Sequence, residues 1–373
     1  MNSEFYSQTI GILGGGQLAR MLCLAAANLG IKTHIFCPEP DSPAFDVCAS
    51  YTIADYTDIK ALQAFADQVD VVTFEFENVP VAAIEHLNQT QIYPCTNALP
   101  CAKALPCAKA LAITQDRIAE KTFMSSLGLA TAPFAQIDSL SDLEKAFVTI
   151  GTPSILKTRR MGYDGKGQAK IATKNDAAAA LTSIGEHPAI LEGFITFERE
   201  ISVIAARNRD GDVTTYDVCE NEHRNHILFL TTVPATIADN TAKKAQQAAI
   251  KIIEALDYVG VLAVEMFVVT DGKNEHLVMN EIAPRVHNSG HWTIEGAKTS
   301  QFEQHIRCVM GLPLGSTKRR GMIEMKNLLG EDMHLLPDLV ANADAYIHVY
   351  GKKQAVKGRK MGHVTYTHNT PNV

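Results

Sequence analysis

Short apolar runs alternate with longer amphipathic segments along the N-terminal part of the chain. This pattern predicts strands at 9–13, 33–36 and 69–76, and helices at 17–30 and 57–68. Strands that alternate with helices in this way form a parallel sheet with right-handed crossovers. Ligands of such a sheet bind beyond the carboxyl ends of its strands. Gly14–Gly16 and Glu75–Asn78 follow two of the predicted strands and are expected to lie at that edge.

Strand-length patterns dominate the rest of the chain. The predicted strands are 154–158, 169–172, 189–192, 198–206, 213–219, 261–269, 276–282, 345–350 and 362–367, with a helix at 241–256. Another helix is expected to begin after Pro106 and to run through Gln115-Asp116-Arg117. One core rarely grows beyond about 250–300 residues. Length alone therefore predicts two or three domains. The order of elements divides the chain at 1–110, 111–312 and 313–373, with the first domain Rossmann-like and the last small and β-rich.

The most informative pair of residues lies on two of these strands, which an Asp-Gly turn joins. A hairpin centred on Lys273 places Glu265 directly opposite Glu281, with their Cβ atoms about 5 Å apart. Like charges so close destabilise a sheet, and a divalent cation is the simplest compensation. Hard carboxylate oxygens suit Mg²⁺, which is commonly held together with phosphates. The alternative is a solvated hairpin with two surface glutamates.

Composition narrows the class of protein. The chain has 373 residues, of which 46% are hydrophobic and 20% charged, as in soluble globular proteins. Its formal net charge of -7 and lack of a large basic run argue against a nucleic-acid partner. No apolar run is long enough for a bilayer span, and no signal peptide is recognisable. Its eight cysteines form no Cys-x-x-Cys pair. We expect a cytoplasmic protein with reduced thiols and no membrane partner.

A hexapeptide occurs twice in succession near the end of the first predicted domain. Residues 98–103 have the same sequence as residues 104–109. Six residues are too few for a repeat that builds a solenoid. Pro100 and Pro106 would interrupt a continuous helix. We interpret the repeat as a local duplication within a linker.

The glycine run Gly14–Gly16 fits a dinucleotide-binding pattern, because it follows a strand and opens a helix. Backbone N–H groups at a helix start can hold a phosphate. The acidic residue that such a site needs near the second strand would be Glu39. Three interpretations stay open: a nicotinamide or flavin site, a site for another phosphate or small anion, and close packing without a ligand.

A second phosphate-binding feature is Lys157 at the end of a strand, followed by the glycine-rich loop Gly162–Gln168. The spacing is not that of a P-loop, but a strand lysine beneath a glycine lid is used by other nucleotide-binding folds. The hinge Glu192–Ile195 would supply backbone donors for adenine, and Glu200 a carboxylate for ribose. The alternative is that the hinge is only a connection between strands.

The order of strand lysine, glycine loop, hinge glutamate and two carboxylates on adjacent strands resembles the ATP-grasp superfamily. Within this superfamily, six sequence strings resemble those of the 5-(carboxyamino)imidazole ribonucleotide synthases. The likeness extends from Ile10 to Val364. The strings are GILGGGQLARM (11–21), TFEFENVP (73–80), QDRIAEK (115–121), KTRRMGYDGKGQ (157–168), NEIAPRVHNSGHWT (280–293) and GRKMGH (358–363). The resemblance implies an ATP-grasp fold of α/β and α+β class, with an N-terminal Rossmann-like (pre-ATP-grasp) domain and a small C-terminal β-rich domain.

The resemblance also implies a role for each matching residue. ATP would be bound by Arg117, Lys157, Gly162, Tyr163, Asp164, Gly165, Lys166, Gly167, Gln168, Glu192, Gly193, Phe194, Ile195, Glu200, His223, Asn280 and Glu281. Mg²⁺ would be held by Glu265 and Glu281. The ribonucleotide and bicarbonate would meet at Gly16, Gln17, Glu75, Asn78, His287, Asn288 and Ser289, with Tyr163, Asp164, Arg285, Lys353 and Arg359 as catalytic residues.

The activity implied is ATP-dependent carboxylation of 5-aminoimidazole ribonucleotide with bicarbonate, through carboxyphosphate, in purine biosynthesis. This is a ligase reaction that forms a C–N bond, and the family likeness implies a homodimer. One rival hypothesis is a nicotinamide-dependent oxidoreductase, which leaves Lys157 and the paired carboxylates unexplained. Another is a non-catalytic nucleotide sensor on the same fold.

Overall fold

A computed structural model of the chain describes residues 8–89, 104–162, 166–272 and 274–368. The N-terminal elements are β1 (Thr9–Leu13), α1 (Gln17–Asn28), β2 (Lys32–Cys37), β3 (Ser50–Ile53), α2 (Ile59–Ala66), β4 (Val71–Phe74) and α3 (Val81–Gln89). Their four strands form a parallel sheet in the order β3-β2-β1-β4, which confirms the predicted architecture. The edge strand β3 was not predicted, because its residues are largely exposed and show no apolar run.

Helices cover both faces of this sheet, so strands β1, β2 and β4 are largely buried. Ile10 and Ile12 of β1 belong to the core cluster that includes α1, whereas Leu13 packs in the cluster on the other face. Gly11 stands between them, and a Cβ there would lie 2.5 Å from the Phe65 ring of α2. The glycine therefore lets α2 pack closely on the strand.

The next region carries a small antiparallel sheet. Its elements are α4 (Ala108–Thr114), α5 (Arg117–Ser126), β5 (Phe134–Ile137), α6 (Leu140–Ala146), β6 (Ser154–Thr158), β7 (Gln168–Ile171), α7 (Ala177–Ser183) and β8 (Ala189–Gly193). The strand order is β5-β8-β6-β7. The prediction of one helix through Gln115-Asp116-Arg117 is wrong. Asp116 ends the run because its carboxylate caps α5, accepting from the N–H groups of Ile118 and Ala119.

A nine-stranded sheet forms the rest of the described chain. Its elements are β9 (Arg199–Arg207), β10 (Val213–Thr215), β11 (Cys219–Arg224), β12 (Ile227–Val233), α8 (Asp239–Ala255), β13 (Gly260–Asp271), β14 (Asn274–Ala283), α9 (Thr293–Gly296), α10 (Gln301–Val309), β15 (Met322–Leu329), α11 (Leu336–Ala341), β16 (Tyr346–Val349) and β17 (Lys360–His368). The order is β14-β13-β9-β11-β12-β15-β17-β16, and β10 also pairs with β9.

Two features of this large sheet differ from the sequence patterns. The single strand predicted at 213–219 is two strands, β10 and β11, which pair with different parts of β9. The C-terminal strands do not form a sheet of their own, since β15 pairs with β12 and extends the large sheet. The predicted domain boundaries at 110/111 and 312/313 stay predictions.

The second copy of the duplicated hexapeptide is packed into the structure, so it is not a linker. Ala104 forms a bridge to Val72 of β4, and the N–H of Leu105 donates to the Val72 carbonyl at 2.8 Å. Ala104, Leu105 and Cys107 contact three different core clusters. Ala108 then begins α4. The first copy, residues 98–103, lies outside the described residues.

Deletion of residues 104–109 is nevertheless expected to give a folded protein. The remaining copy has the same sequence and can take the packed position, leaving residues 90–97 to follow α3. Shortening a connection by about half changes its closure free energy by only about 0.6 kcal/mol. Thermal unfolding should therefore show a shift of a few degrees at most.

A matched variant tests whether the packed copy contributes to stability. Leu105→Asp in the full-length chain puts a charge into a buried site and should lower the melting temperature far more than the deletion does. An insoluble deletion variant would mean that the first copy also has a packed position of its own.

His305 of α10 connects the N-terminal sheet to the large sheet. Its Nδ1 accepts from the N–H of Val261 at 3.1 Å, so Nε2 carries the proton and donates to the Thr73 hydroxyl at 2.8 Å. Burial lowers the pKa of His305 from the ordinary 6.5 to about 4. The imidazole of His305 therefore takes up its second proton at a higher pH in the unfolded chain than in the folded chain.

Stability is expected to be lost as the pH falls from 6.5 towards 4, with about 3 kcal/mol from His305 at the acid end. In urea unfolding, His305→Gln should be less stable than wild type at pH 7, and this difference should shrink at pH 4.5. The exposed His276→Gln is the control. A difference that stays constant with pH would contradict the neutral state of His305.

One further feature bears on location. Within the part of the chain that the structure describes, no helix combines the length and apolar character needed to cross a bilayer.

Candidate active site

The start of α1 is occupied by a carboxylate of the chain itself. Glu75, which follows β4, accepts from the N–H of Gly16 at 3.0 Å. A Cβ at Gly14 or Gly16 would lie 2.7 Å or 2.9 Å from atoms of Glu75. Burial raises the pKa of Glu75 above its ordinary value. The glycines therefore make room for Glu75 where a dinucleotide phosphate would bind, which disfavours the nicotinamide or flavin interpretation.

Glu265 and Glu281 lie opposite each other, but the hairpin is not centred where the sequence predicts. The ladder begins with Asp271 opposite Asn274, whereas a hairpin centred on Lys273 would place Asp271 opposite Glu275. Lys273 itself lies outside the described residues. The register then shifts next to Glu265, so that Asn280 and Glu281 both stand against this one residue of β13. This β-bulge restores the predicted pairing.

Each of the two opposed carboxylates has a nitrogen-bearing side chain beside it. Arg117 Nη1 lies 3.3 Å from Glu281 Oε2, and His287 Nε2 lies 3.2 Å from Glu265 Oε1. Burial, and then the nearby Glu281, raise the pKa of Glu265 to about 7. The site therefore resists holding both negative charges unless a cation joins them.

Helix α5 contributes three charged residues on one face, although the sequence interpretation named only Arg117. Arg117, Glu120 and Lys121 have the i, i+3, i+4 spacing that places side chains together. Glu120 Oε1 accepts from the N–H of Ile282 at 2.6 Å, and Lys121 Nζ donates to the Asn280 carbonyl at 2.7 Å. Burial, with the Glu281 charge, raises the pKa of Glu120 to about 8. The helical spacing of charges in QDRIAEK was the signal for this group.

Lys157 is held by the hinge glutamate. Its Nζ lies 2.9 Å from Glu192 Oε2, while Lys121 Nζ is 3.7 Å from Glu192 Oε1. Burial alone would raise the pKa of Glu192, but the two lysines hold it at about 2. The predicted N–H donors of Gly193 and Phe194 already donate to the carbonyls of Pro133 (2.8 Å) and Pro153 (3.2 Å). They are therefore satisfied within the chain, and are not available to a base in this structure.

One described end of the glycine loop lies beside Arg117, and the other lies beside β6. Arg117 Nη2 donates to the Gly162 carbonyl at 3.4 Å. The N–H of Thr158 donates to the Gly167 carbonyl at 2.8 Å, and Gly167 has a φ of +68°. Gln168 Nε2 lies 3.4 Å from the ring Nδ1 of His226. Lys166 is described, whereas the predicted site residues Tyr163, Asp164 and Gly165 lie outside the described residues.

Glu200 and His223 meet on neighbouring strands of the large sheet. The Glu200 carboxylate forms an ion pair with His223 Nδ1. Burial would lower the pKa of His223, but Glu200 outweighs it and raises the pKa above its ordinary value. This pair lies on the same sheet as Glu265, since β9 pairs with both β11 and β13.

The segment after β14 carries the predicted substrate residues, and Gln301 of α10 holds its backbone. The N–H of His287 donates to Gln301 Oε1 at 2.9 Å, and Gln301 Nε2 donates to the His287 carbonyl at 2.7 Å. A Cβ on Gly290 would lie 2.6 Å from Gln301 Oε1, so this position needs a glycine. Both amide atoms of Asn288 are buried and have no partner among the described residues. An orphaned buried amide is suited to a ligand.

A buried chain of hydrogen bonds leads from the large sheet to His287. Ser289 hydrogen-bonds to His287 Nδ1, so the other ring nitrogen, Nε2, faces Glu265. Burial, and then the charge of Arg285, lower the pKa of His287 well below its ordinary value. In order, the bonds run from Thr231 to Asn221 (3.0 Å), from Asn221 to Ser202 (2.9 Å), from Ser202 to Ser289 (2.7 Å), and between Ser289 and His287 (2.9 Å).

Arg285 connects this segment to the N-terminal sheet. Its guanidinium contacts both carboxylate oxygens of Glu77, with Nη2 at 2.8 Å from Oε1. Burial would raise the pKa of Glu77, but Arg285 lowers it below its ordinary value. Gly16, Gln17, Glu75 and Asn78 lie at the same carboxyl edge, because β1 and β4 are neighbours. Glu77 was expected at this edge as part of Glu75–Asn78, but its pairing with Arg285 was not predicted.

The two predicted C-terminal cations differ in their surroundings. Lys353 forms an ion pair with Asp41 of the N-terminal region, and both side chains are largely exposed. Arg359 is exposed, and its Nη1 donates to the Gln354 carbonyl at 3.3 Å. The loop that bears them therefore reaches the N-terminal domain near the carboxyl edge of its sheet.

These contacts join the residues into one site, called the cleft below, in which cations lie beside the opposed carboxylates and Arg285 leads to the carboxyl edge of the N-terminal sheet. Such an arrangement can neutralise and orient a polyphosphate while a second ligand lies across Arg285.

Family models match the chain in three consecutive segments. They are the ribonucleotide synthetase preATP-grasp domain over residues 7–103, the ATP-grasp domain over 122–302 and the phosphoribosylaminoimidazole carboxylase C-terminal domain over 324–372.

Individual proteins match over nearly the whole length. The N5-carboxyaminoimidazole ribonucleotide synthase of Brucella melitensis is 50% identical over 360 residues, which cover 96% of this chain and 95% of that protein. The crystal structure of the Thermus thermophilus synthetase has a TM-score of 0.87 and 46% identity, over 96% of this chain and 94% of that one. The Aspergillus clavatus synthase, in complex with ADP and 5-aminoimidazole ribonucleotide, has a TM-score of 0.88 and 30% identity, over 98% and 95%.

Proposed function

Because this chain belongs to the family of N5-carboxyaminoimidazole ribonucleotide synthases, we propose that it carboxylates the exocyclic amine of 5-aminoimidazole ribonucleotide. The reaction consumes ATP and bicarbonate and gives N5-carboxyaminoimidazole ribonucleotide, ADP and phosphate. It is a C–N bond-forming step of purine biosynthesis, and we place it in the cytoplasm.

One observation carries this proposal beyond the family likeness. The opposed carboxylates Glu265 and Glu281 connect through His287 and Arg285 to Glu77, at the carboxyl edge of the N-terminal sheet. A nucleotide cleft and a second binding edge thus share one short segment of chain. That is what a reaction needs when a phosphoryl group is activated at one place and used next to it.

In the nucleotide cleft, we assign ATP phosphates to Lys157, Arg117 and the loop Gly162–Gln168. Lys157 is poised for this role because its partner Glu192 keeps the ammonium fixed at 2.9 Å. The hinge 192–195 and the Glu200–His223 pair would then contact the nucleoside. The complex of the Aspergillus clavatus enzyme with ADP supports a nucleotide in this fold.

The residues present fit Mg²⁺ as a shared ligand of protein and ATP. Among the described residues, no group of three or more His, Cys, Asp or Glu is placed to hold a metal alone. Two opposed carboxylates completed by phosphate oxygens are, however, the usual protein share of a magnesium site. The raised pKa of Glu265 supports this assignment, because a bound cation would favour the charged form of both carboxylates. When bound, Mg²⁺ would neutralise phosphate charge during transfer.

The chemical sequence follows from the weakness of bicarbonate as an electrophile. Transfer of the γ-phosphoryl group gives carboxyphosphate, a mixed anhydride with phosphate as leaving group. The ribonucleotide amine then attacks that carbon, or the carbon dioxide it releases. Positioning and charge neutralisation suffice for such a transfer, and no covalent nucleophile of the protein is required. Water must be excluded, so we assign the loop 162–168 the role of a closing lid.

The second substrate would lie between the sheet edge and the segment after β14. We assign contacts with it to Gly16, Gln17, Glu75, Asn78, His287, Asn288 and Ser289. Arg285, Lys353 and Arg359 supply positive charge. The amide of Asn288, which has no partner among the described residues, supplies a donor and an acceptor. Tyr163 and Asp164 are proposed to contact the amine from the lid.

The proposed function is tested by measuring ADP release with ATP and each other component added in turn. Release is expected to require Mg²⁺ and bicarbonate and to be strongly stimulated by 5-aminoimidazole ribonucleotide. Release that is unchanged by bicarbonate and ribonucleotide would contradict the assignment. A melting temperature that rises with NAD(H) but not with ATP and Mg²⁺ would favour the oxidoreductase instead.

We further propose that the enzyme acts as a homodimer, on the basis of its family membership. Sedimentation at several protein concentrations tests this, since a monomer throughout would exclude it.

A further inference from the structure

The register shift in the β13–β14 hairpin decides which way Glu281 points. From Asp271–Asn274 to Met266–Met279, the strands pair without interruption. Continued in that register, Glu281 would stand opposite Val264, a fully buried core residue. Because successive strand residues face opposite sides, Glu281 would then point into the core. The bulge instead brings Glu281 opposite Glu265.

The burial pattern agrees with this reading of the bulge. Met279 and Ile282 are buried, while the two residues between them are both partly exposed. An uninterrupted strand would alternate from one residue to the next. Asn280 and Glu281 therefore both face the cleft.

Helix α5 supplies partners for the backbone at the bulge. β14 is the edge strand of the large sheet among the described residues. On its outer side Met279 forms an isolated bridge to Thr131, and its N–H donates to the Ala130 carbonyl at 2.7 Å, but the backbone groups that follow need partners from side chains. Lys121 Nζ donates to the Asn280 carbonyl at 2.7 Å and to the Met279 carbonyl at 3.4 Å. On the far side of the bulge, Glu120 Oε1 accepts from the N–H of Ile282 at 2.6 Å. Two adjacent residues of one helix thus hold the backbone before and after the inserted residue.

We propose that Lys121, assisted by Glu120, is a positioning residue that holds this bulge and so turns Glu281 towards Glu265 to complete the metal-binding pair. The inference rests on the proposed function, because it takes Glu265 and Glu281 as the ligands of the nucleotide-bound metal. Lys121 is 1% exposed, so it acts through the strand and does not touch the nucleotide.

Lys121 also has a second neighbour, Glu192, which suggests a plainer role as a buried counter-ion. The distances favour the backbone role, since Nζ is 2.7 Å from the Asn280 carbonyl and 3.7 Å from Glu192. Glu192 also keeps Lys157 as its closer partner. Glu120 separates the two roles, because its carboxylate accepts from the N–H of Ile282 at the bulge.

The test measures metal binding directly, by electron paramagnetic resonance of Mn²⁺ added to the full-length protein with ADP. Lys121→Met and Glu120→Ala are each expected to weaken Mn²⁺ binding ten- to a hundredfold, the usual effect of losing an outer partner of a metal ligand. ADP binding measured in EDTA should change less than about threefold. Glu120→Gln keeps an acceptor for Ile282 and is expected to retain Mn²⁺ binding. Lys251→Met is the matched control, since Lys251 also donates to a backbone carbonyl, that of Leu127.

The outcomes separate the inference from the function on which it rests. Wild-type protein that binds no Mn²⁺ with ADP would refute the metal assignment itself. If Lys121→Met and Glu120→Ala both bind Mn²⁺ as well as the wild type does, the proposed role of α5 is overturned. If Lys121→Met does not fold, the pair Glu120→Ala and Glu120→Gln decides alone. Equal losses of Mn²⁺ binding and of metal-free ADP binding would identify a merely structural role and would also overturn the proposal.

Discussion

Glu281→Gln is expected to abolish ADP formation while leaving the fold intact. Glutamine keeps an oxygen that can accept from Arg117, 3.3 Å away in the wild type. It removes one of the two opposed charges that we assign to the metal. Losing several kcal/mol of charge stabilisation during phosphoryl transfer corresponds to a loss in kcat on the order of a thousandfold. The measurement is bicarbonate-dependent ADP release at saturating ATP and Mg²⁺.

The control for this variant lies on the same strand. Glu275→Gln changes a carboxylate near the other end of β14, where its oxygen accepts from the N–H of Ala238. Its activity should stay within about twofold of wild type, as for a substitution outside the site. Near-normal activity of Glu281→Gln at ordinary Mg²⁺ would refute its role as a metal ligand.

Glu281→Gln is also expected to change the pH dependence of stability in the absence of metal. Burial and Glu281 raise the pKa of Glu265 to about 7, above the ordinary 4.5. Between these values the folded chain holds a proton that the unfolded chain has lost, so stability falls as the pH rises from 4.5 to 7. Removing the charge at residue 281 brings the pKa of Glu265 back down. The metal-free variant should therefore lose less stability than wild type between pH 5 and pH 8, in matched urea titrations.

The β13–β14 hairpin illustrates how much of the structure could be predicted from the sequence. The alternation of apolar residues and the Asp-Gly turn were enough to predict two paired strands with opposed glutamates. The pairing next to the turn differed from the prediction by one residue, and a bulge next to Glu265 compensated for it. Nothing in the strand pattern marks a bulge, because its partners come from Glu120 and Lys121 on a distant helix. Tertiary contacts decided the register here.

Other differences have the same physical origin. Asp116 ended a predicted helix because its carboxylate caps the next one, α5. The glycine run was compatible with a phosphate until Glu75, from another strand, was found at the helix start. Glu77 and Gln301 act through partners far away in the sequence, Arg285 and His287. Local patterns predicted the helices and strands, and the family resemblance predicted the site residues. The groups that hold those residues in place could be identified only from the folded structure.

Arg359→Ala is expected to damage use of the ribonucleotide more than binding of ATP. Of the three predicted cations at this edge, Arg285 is already paired with Glu77, and Lys353 with Asp41. Within the described residues Arg359 makes no ion pair, and its guanidinium donates to the Gln354 carbonyl from an exposed position. It is therefore the cation that we assign to the phosphate of the ribonucleotide, which a guanidinium can contact in a bidentate manner.

Losing a charged hydrogen-bond partner costs about 1.5–3 kcal/mol, or roughly ten- to a hundredfold in affinity. We expect the KM for 5-aminoimidazole ribonucleotide to rise by that factor in Arg359→Ala, while the KM for ATP changes less than about twofold. Lys357→Ala removes an exposed positive charge two residues away, so it controls for the general field of the loop. An equal rise in the KM for ATP, or an equal effect of Lys357→Ala, would show that Arg359 acts by net charge alone. A rise confined to the ribonucleotide and to Arg359 would place the phosphate of that substrate at the junction of the C-terminal loop and the N-terminal sheet.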